Sequence, residues 1–308
     1  MPLHRFAFRA MACDNIITID APTHTAVEAT AQAAIAEVHR IEAKYSRYRS
    51  DSVLTAINQQ ASGVWRKIDR ETAQLLDFAA ACYAQSDGLF DITSGVLRRV
   101  WDFKATAPPC DDAIASVLPR IGWPYVERTS DAMRFLRDGM EIDLGGFGKE
   151  YAADRAAAVL LAHGIRHGFV DLGGDVVVTG PMADGTPWRL GIRHPRAAVH
   201  HEDALLETVS IVQGAVATSG DYERYLIDAA GRRHCHILNP MTGQAVQGLQ
   251  CVTAFAPTCM VAGAITTIAM LRGEAGGLAF LRASDVVALA VGRAGEVHRI
   301  GGQQRPQA

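Results

Sequence analysis

The residues best suited to chemistry fall in one short run, Asp143-Leu144-Gly145-Gly146-Phe147-Gly148-Lys149, followed by Tyr151 and Asp154. A strand end, a glycine loop and a helix start in that order build an anion pocket. Glycines let backbone N–H groups close on a phosphate, and the helix N-terminus adds a favourable dipole. Lys149 would supply a neutralising charge, and Asp143 a hydrogen bond to a ring or hydroxyl. The same glycines also suit a plain tight turn with positive φ. The run is neither a GxGxxG fingerprint nor a Walker P-loop, so dinucleotide-fold and NTPase readings lack their signature. Other clusters are Leu172-Gly173-Gly174-Asp175, Thr218-Ser219-Gly220-Asp221-Tyr222, and His234 through Gly243. In the last, His236 stands before an Asn-Pro turn. It suits either a turn histidine that satisfies a backbone group or a general base, because neutral imidazole accepts a proton near pH 7.

The elements that would position these groups follow from periodicity. Val27, Ala31, Ala34, Val38, Ile41 and Tyr45 recur at helical spacing within a helix expected over Pro22–Tyr45. A second helix is expected over Arg70–Gln85, ended by Asp87-Gly88, and a third over Lys149–His163. Met260–Leu271 reads as a late helix of small residues. Strands are expected at Asn15–Ile19, Met140–Leu144, Gly168–Leu172, Asp175–Thr179, Trp188–Ile192 and Thr208–Val212, with a closing hairpin of Val286–Val291 and Glu296–Ile300. Residues Ala105–Pro124 read as a proline-rich connection with one short helix. Helices and strands intermingle without regular βαβ alternation, which points to an α+β fold.

Composition narrows the function. The chain has 308 residues, 49% of them hydrophobic, enough for one large core or two modest ones. A formal net charge of −3 argues against nucleic acid as a partner, since phosphate neutralisation calls for a basic face. No stretch reaches the roughly 18 to 20 apolar residues of a membrane span. His4, Arg5 and Arg9 interrupt any apolar leader at the N-terminus. The expected location is therefore the cytoplasm, or outside it as a mature form whose leader has been removed. The 6 cysteines are scattered without a CxxC pair, so buried thiols are expected rather than a zinc site or a disulfide framework.

Taken together and in order, the motifs resemble the ApbE family. Asp143–Asp154, Leu172–Asp175, Thr218–Tyr222 and His236–Gly243 are similar to the family's D-L-G-G-x-x-K-G-Y-x-x-D, L-G-G-D, T-S-G-D-Y and H-I-x-D-P-x-T-G segments. Met11-Ala12-Cys13 stands where the family has Met-Gly-Thr. Tyr45 to Asn58, Ser86 to Thr93 and Trp101-Asp102-Phe103 match its earlier segments. The resemblance runs from Met11 to about Leu281. It implies one ApbE-like domain over residues 1–300 with a disordered tail at 301–308, built of mixed sheets and flanking helices around an FAD cleft between two lobes. It also implies an FAD:protein FMN transferase that uses Mg²⁺ and moves FMN from FAD to a threonine of a target flavoprotein, releasing AMP. By position, Met11, Tyr48, Leu89, Phe90, Asp91, Asp143, Lys149 and Ile237 would contact FAD, with Tyr48 and Phe90 flanking its rings. The Gly146 carbonyl and Thr267 would face the metal, and His236 would accept the threonine proton.

The chain departs from the family pattern at its late helix. Where the family has A-D-A-x-x-T, this chain reads Ala262-Gly263-Ala264-Ile265-Thr266-Thr267, so the acidic ligand is Gly263. Mg²⁺ prefers carboxylate and water oxygens, so weak metal binding is expected. Glu150 replaces the family's glycine after the lysine. It adds a carboxylate near the loop that could compensate for the missing acid, but at a helix start the favoured reading is a solvated acid stabilised by the dipole. A catalytically silent FAD-binding relative, acting as carrier or maturation factor for a redox enzyme, is the alternative. A Gly263→Asp change is expected to raise metal-dependent activity under either reading.

Overall fold

The computed structural model describes residues 1–197 and 205–301. The expected tail beyond residue 301 lies outside them. The chain opens with β1 (Leu3–Ala10), β2 (Cys13–Asp20), α1 (Thr25–Tyr45), α2 (Val53–Asn58), β3 (Arg66–Lys67) and α3 (Arg70–Gln85). A 3-10 helix (Ile92–Arg99), α4 (Asp111–Val117), β4 (Val126–Arg128) and β5 (Ala132–Phe135) follow. Then come α5 (Gly148–Ala162), β6 (Gly168–Leu172), β7 (Asp175–Gly180), β8 (Trp188–Arg193), β9 (Leu205–Ile211) and β10 (Gly214–Gly220). The chain closes with β11 (Tyr225–Ile227), β12 (Arg233–Cys235), β13 (Cys251–Ala256), α6 (Cys259–Leu271), α7 (Gly273–Ala283), β14 (Val287–Val291) and β15 (Val297–Ile300).

The main sheet has the order β1-β2-β6-β7-β10-β13-β14-β15, with antiparallel neighbours throughout. Helices α1 and α5 cover one face, burying Val27, Ala31, Val38 and Ile41 with Ala152, Ala153, Ala156 and Ala157 against Ile17, Val170 and Ala217. Alanines on α5 let the two helices and the sheet approach closely. The β8–β9 hairpin covers part of the other face through Trp188 and Ile211, which pack on Val176, Val178 and Val216.

After α1 the chain leaves this sheet. Residues 46–147 supply most of a second core of Leu54, Ile57, Leu76, Phe90, Met133, Phe135 and Ile142, which α6 also joins through Ala264 and Ile268. The chain then returns as α5. The glycine loop is therefore the return crossing between the two cores.

Helix α3 has the expected bounds because Asp69 caps it, accepting from the Thr72 N–H at 2.8 Å. The expected closing hairpin and the strands after α5 are present, with ends shifted by a few residues. Met140–Leu144 is not a strand. Its backbone is satisfied instead by a side chain. Asn58 donates to the Ile142 carbonyl at 2.9 Å and accepts from the Ile142 N–H at 2.8 Å. Strand β1 was not expected. As the edge of the sheet it turns Phe6 and Ala10 inward and keeps most of its other residues in contact with solvent. The cysteines are free, but Cys110 is exposed and Cys13 half-buried, which corrects the expectation of uniformly buried thiols.

Candidate active site

The glycine loop is shaped by what lies beneath it. Asp143 pins the turn by accepting from the Gly145 N–H at 2.9 Å. The Phe147 and Gly148 N–H groups both donate to the Leu144 carbonyl, at 3.0 and 2.6 Å. A Cβ on Gly146 would come within 3.0 Å of the Phe90 ring, so the backbone here needs glycine for close approach rather than for an unusual φ. No side-chain hydrogen bond caps α5, and with the Gly148 N–H spent on the Leu144 carbonyl the helix dipole is what its N-terminus brings to the loop.

Arg47, which sequence reasoning did not select, organises the next group. Its guanidinium pairs with Asp143, donates to the Tyr48 hydroxyl at 2.9 Å and lies 5.0 Å from the centre of the Tyr48 ring. Tyr48 is 76% exposed and offers a free ring face. Phe90 differs. It is 4% exposed and stacked on Phe147 at 6.2 Å, so its ring supports the loop and cannot flank a ligand. Asp91 is also committed. It accepts from the Thr93 N–H and hydroxyl (2.8 and 2.6 Å) and from the Trp123 N–H (2.9 Å). Its carboxylate holds the second lobe together. Leu89 and Ile237 are half-buried on the same core. Met11 sits in the left-handed region at φ 54° in the β1–β2 turn, its N–H donating to Glu42 at 2.6 Å.

Lys149 turns inward. Its ammonium pairs with Asp175 at 2.6 Å and donates to the Leu172 carbonyl at 2.9 Å, across the Gly173-Gly174 turn. Both of those glycines have positive φ, 59° and 93°, as a two-residue hairpin requires. The expectation of an uncommitted phosphate-binding cation is thereby revised. Lys149 ties the glycine loop to the β6–β7 turn, and its charge is already matched. Asp175 is 3% exposed and accepts from the Thr218 N–H at 3.1 Å, which brings the third motif to the same place.

Glu150 overturns another expectation. It is 8% exposed rather than solvated, and its Oε2 has no hydrogen-bond partner. Burial first, and then the nearby Asp175 charge, push its pKa well above the usual carboxylate range. The register of α6 against α5 is set by Asp154, which accepts from the Cys259 and Met260 N–H groups at 2.8 and 3.0 Å and so caps α6 from its neighbour. That cap was not foreseen. One face of α6 then presents Gly263 and, a turn later, Thr267, whose hydroxyl is 3.1 Å from that of Ser219. Ser219 also meets Thr266 at 2.8 Å.

His236 lies on the connection after β12. Its Nδ1 is 3.0 Å from the Arg224 carbonyl. A carbonyl can only accept, so Nδ1 carries the proton and Nε2 the free lone pair. Surrounding protein disfavours the imidazolium and lowers the His236 pKa from its ordinary value. A neutral imidazole with its basic nitrogen unencumbered is what a proton acceptor near neutral pH requires.

Comparison with known proteins gives one family throughout. The ApbE family model matches residues 13–290. The FAD:protein FMN transferase of Treponema pallidum is 31% identical over 276 residues, covering 82% of this chain and 75% of that protein. The FAD:protein FMN transferase of Vibrio cholerae is 27% identical over 259 residues, covering 82% of this chain and 76% of that protein. The crystal structure of the ApbE protein from Thermotoga maritima superposes with a TM-score of 0.88 at 29% identity, over 97% of both chains.

Proposed function

Because the chain belongs to the ApbE family, we propose that its site transfers FMN from FAD to a hydroxyl of a target flavoprotein. The protein is an FAD:protein FMN transferase. In the reaction the acceptor oxygen, a threonine hydroxyl in our reading, bonds to the phosphorus of the FMN half. The bond from that phosphorus to the bridging oxygen breaks, and AMP leaves with the oxygen. His236 Nε2 takes the hydroxyl proton. The observation that carries this role is the Arg224 carbonyl on Nδ1, which fixes the tautomer with Nε2 basic. The N-terminus of α5 and its glycine loop stabilise the phosphoryl oxygens by dipole and N–H donation. Tyr48, held by Arg47, offers the exposed ring on which a flat cofactor ring stacks.

A divalent cation fits this region. The donors near α6 are hard oxygens, and a buried Glu150 carboxyl oxygen there has no hydrogen-bond partner. The Gly146 carbonyl and the Thr267 hydroxyl would hold it, and when bound it would neutralise charge on the phosphoryl oxygens. Incubating the protein with FAD and Mg²⁺ or Mn²⁺, with and without a threonine-bearing acceptor domain, tests the proposal. AMP release with a fluorescent, flavinylated acceptor is expected. FAD binding without AMP under either metal would instead support the silent FAD-binding relative.

A further inference from the structure

Gly263 and Glu150 compete for one space. An ideal Cβ on Gly263 would lie 2.7 Å from Glu150 Cγ, 2.8 Å from its Oε1 and 3.0 Å from its Cδ. The glutamate, reaching across from α5, therefore fills the volume that a side chain at 263 would take. It does so with a carboxylate, at the point on α6 one turn before Thr267. Its partners do not satisfy it. Oε2 is buried without a hydrogen bond, and the nearest cation, Lys149, is already matched by Asp175 at 2.6 Å. A buried carboxylate with one oxygen left unpartnered, beside a second buried acid, is costly unless a positive group completes it. The surrounding atoms suggest which one. The Thr267 and Ser219 hydroxyls, 3.1 Å apart, are hard oxygen donors on the same side of α6. They suit Mg²⁺ or Mn²⁺ rather than a softer ion.

We propose that Glu150 is the carboxylate ligand of the divalent cation, delivered from α5 into space that Gly263 leaves open on α6. The inference deepens the transferase reading and rests on it for the choice of cation. It also explains a paired departure from the family pattern. The resembled sequences have glycine at the position of Glu150 and aspartate at that of Gly263, and here acid and glycine have changed places. The cap from Asp154 onto Cys259 and Met260 holds the two helices in the register that makes the exchange possible. On this proposal the carboxylate that the missing aspartate would have supplied comes from α5 instead.

The test is Mn²⁺ binding to the full chain in the presence of saturating FAD, read by the loss of the free-ion EPR signal. Flavin fluorescence quenching is followed in parallel. Wild type should bind Mn²⁺. Glu150→Gln, which keeps the shape and removes the charge, should weaken Mn²⁺ binding by at least about tenfold while FAD still quenches. The double variant Glu150→Gly with Gly263→Asp should regain binding, and a thermal melt checks its folding. Glu150→Gln binding Mn²⁺ as tightly as wild type would overturn the proposal, as would a wild type that binds none. If Mn²⁺ binding depends on Glu150 but no AMP forms with any acceptor, the cation site stands and the transferase reading fails.

Discussion

Alanine at Gly263 should stabilise or destabilise this protein according to what stands at residue 150. Gly263 lies inside α6, where Gly→Ala gains about 1 kcal/mol from backbone entropy and helix propensity. In the wild type that gain is opposed. The added methyl would sit 2.7 to 3.0 Å from three atoms of the Glu150 side chain. Overpacking of this kind costs about 1–3 kcal/mol, because the displaced group is buried and has little room to move. The net effect is a loss of up to about 2 kcal/mol, or up to about 4 °C in Tm at roughly 2 °C per kcal/mol for a chain of this size. In a Glu150→Ala background the clash is gone, so Gly263→Ala should raise Tm by about 2 °C. Calorimetric melts of the four proteins in chelator-treated buffer give the coupling directly, expected at about 1–3 kcal/mol. If Gly263→Ala raises Tm equally in both backgrounds, Glu150 does not occupy the space beside α6, and the reasoning about the site fails with it. The same geometry revises the expectation that Gly263→Asp alone would raise metal-dependent activity, since the new carboxylate must displace the one already there.

Other consequences can be checked with standard assays. Asn58→Leu strips the Ile142 N–H and carbonyl of both their partners and should cost about 2–4 kcal/mol in a denaturant melt. Asp154→Ala removes the acceptor for the Cys259 and Met260 N–H groups, leaving α6 only its Thr258 cap on Val261, and should cost about 1–2 kcal/mol. It should also lower Mn²⁺ affinity, because α6 loses its register. The neutral form of His236 is the active one and its pKa is lowered, so kcat/KM should hold as pH falls below about 6.5 and decline only further into acid. His236→Gln should abolish that limb along with most of the rate.

Much of the fold could be read where local signals agree. Asp69 before α3 and Gly88 after it mark both ends of a helix, and α1 declares itself by a long apolar stripe. Strands β10 and β13 were missed because Gly214–Gly220 and Cys251–Ala256 are mostly small residues with consecutive positions buried, which erases the period of two. Met140–Leu144 has the composition of a strand but pairs with an amide side chain from α2, and nothing nearby in the chain announces that partner. The motif residues were legible as a set, though not in their roles. Lys149, Phe90 and Asp91 look outward in a string of letters and prove to be internal struts. Glu150 shows the limit most clearly. Its own neighbourhood says helix start, where acids face water, while its burial is decided by the lack of a side chain on a helix far along the chain.

The route of the chain through the main sheet bears on how the protein assembles. Strand β2 pairs with β6, Ile17 opposite Val170, and most of the second lobe lies between them in the chain. During synthesis β1, β2 and α1 emerge before the second lobe, yet one flank of β2 has no partner until α5 and β6 have been made. Closing a loop of that length carries an entropic cost that rises with its logarithm, and a lobe already collapsed shortens the effective loop. Folding of the inserted lobe should therefore precede closure of the sheet around it. Until then the open flank of β2 is an unpaired strand edge, and high protein concentration during refolding is the condition most apt to divert it into aggregates.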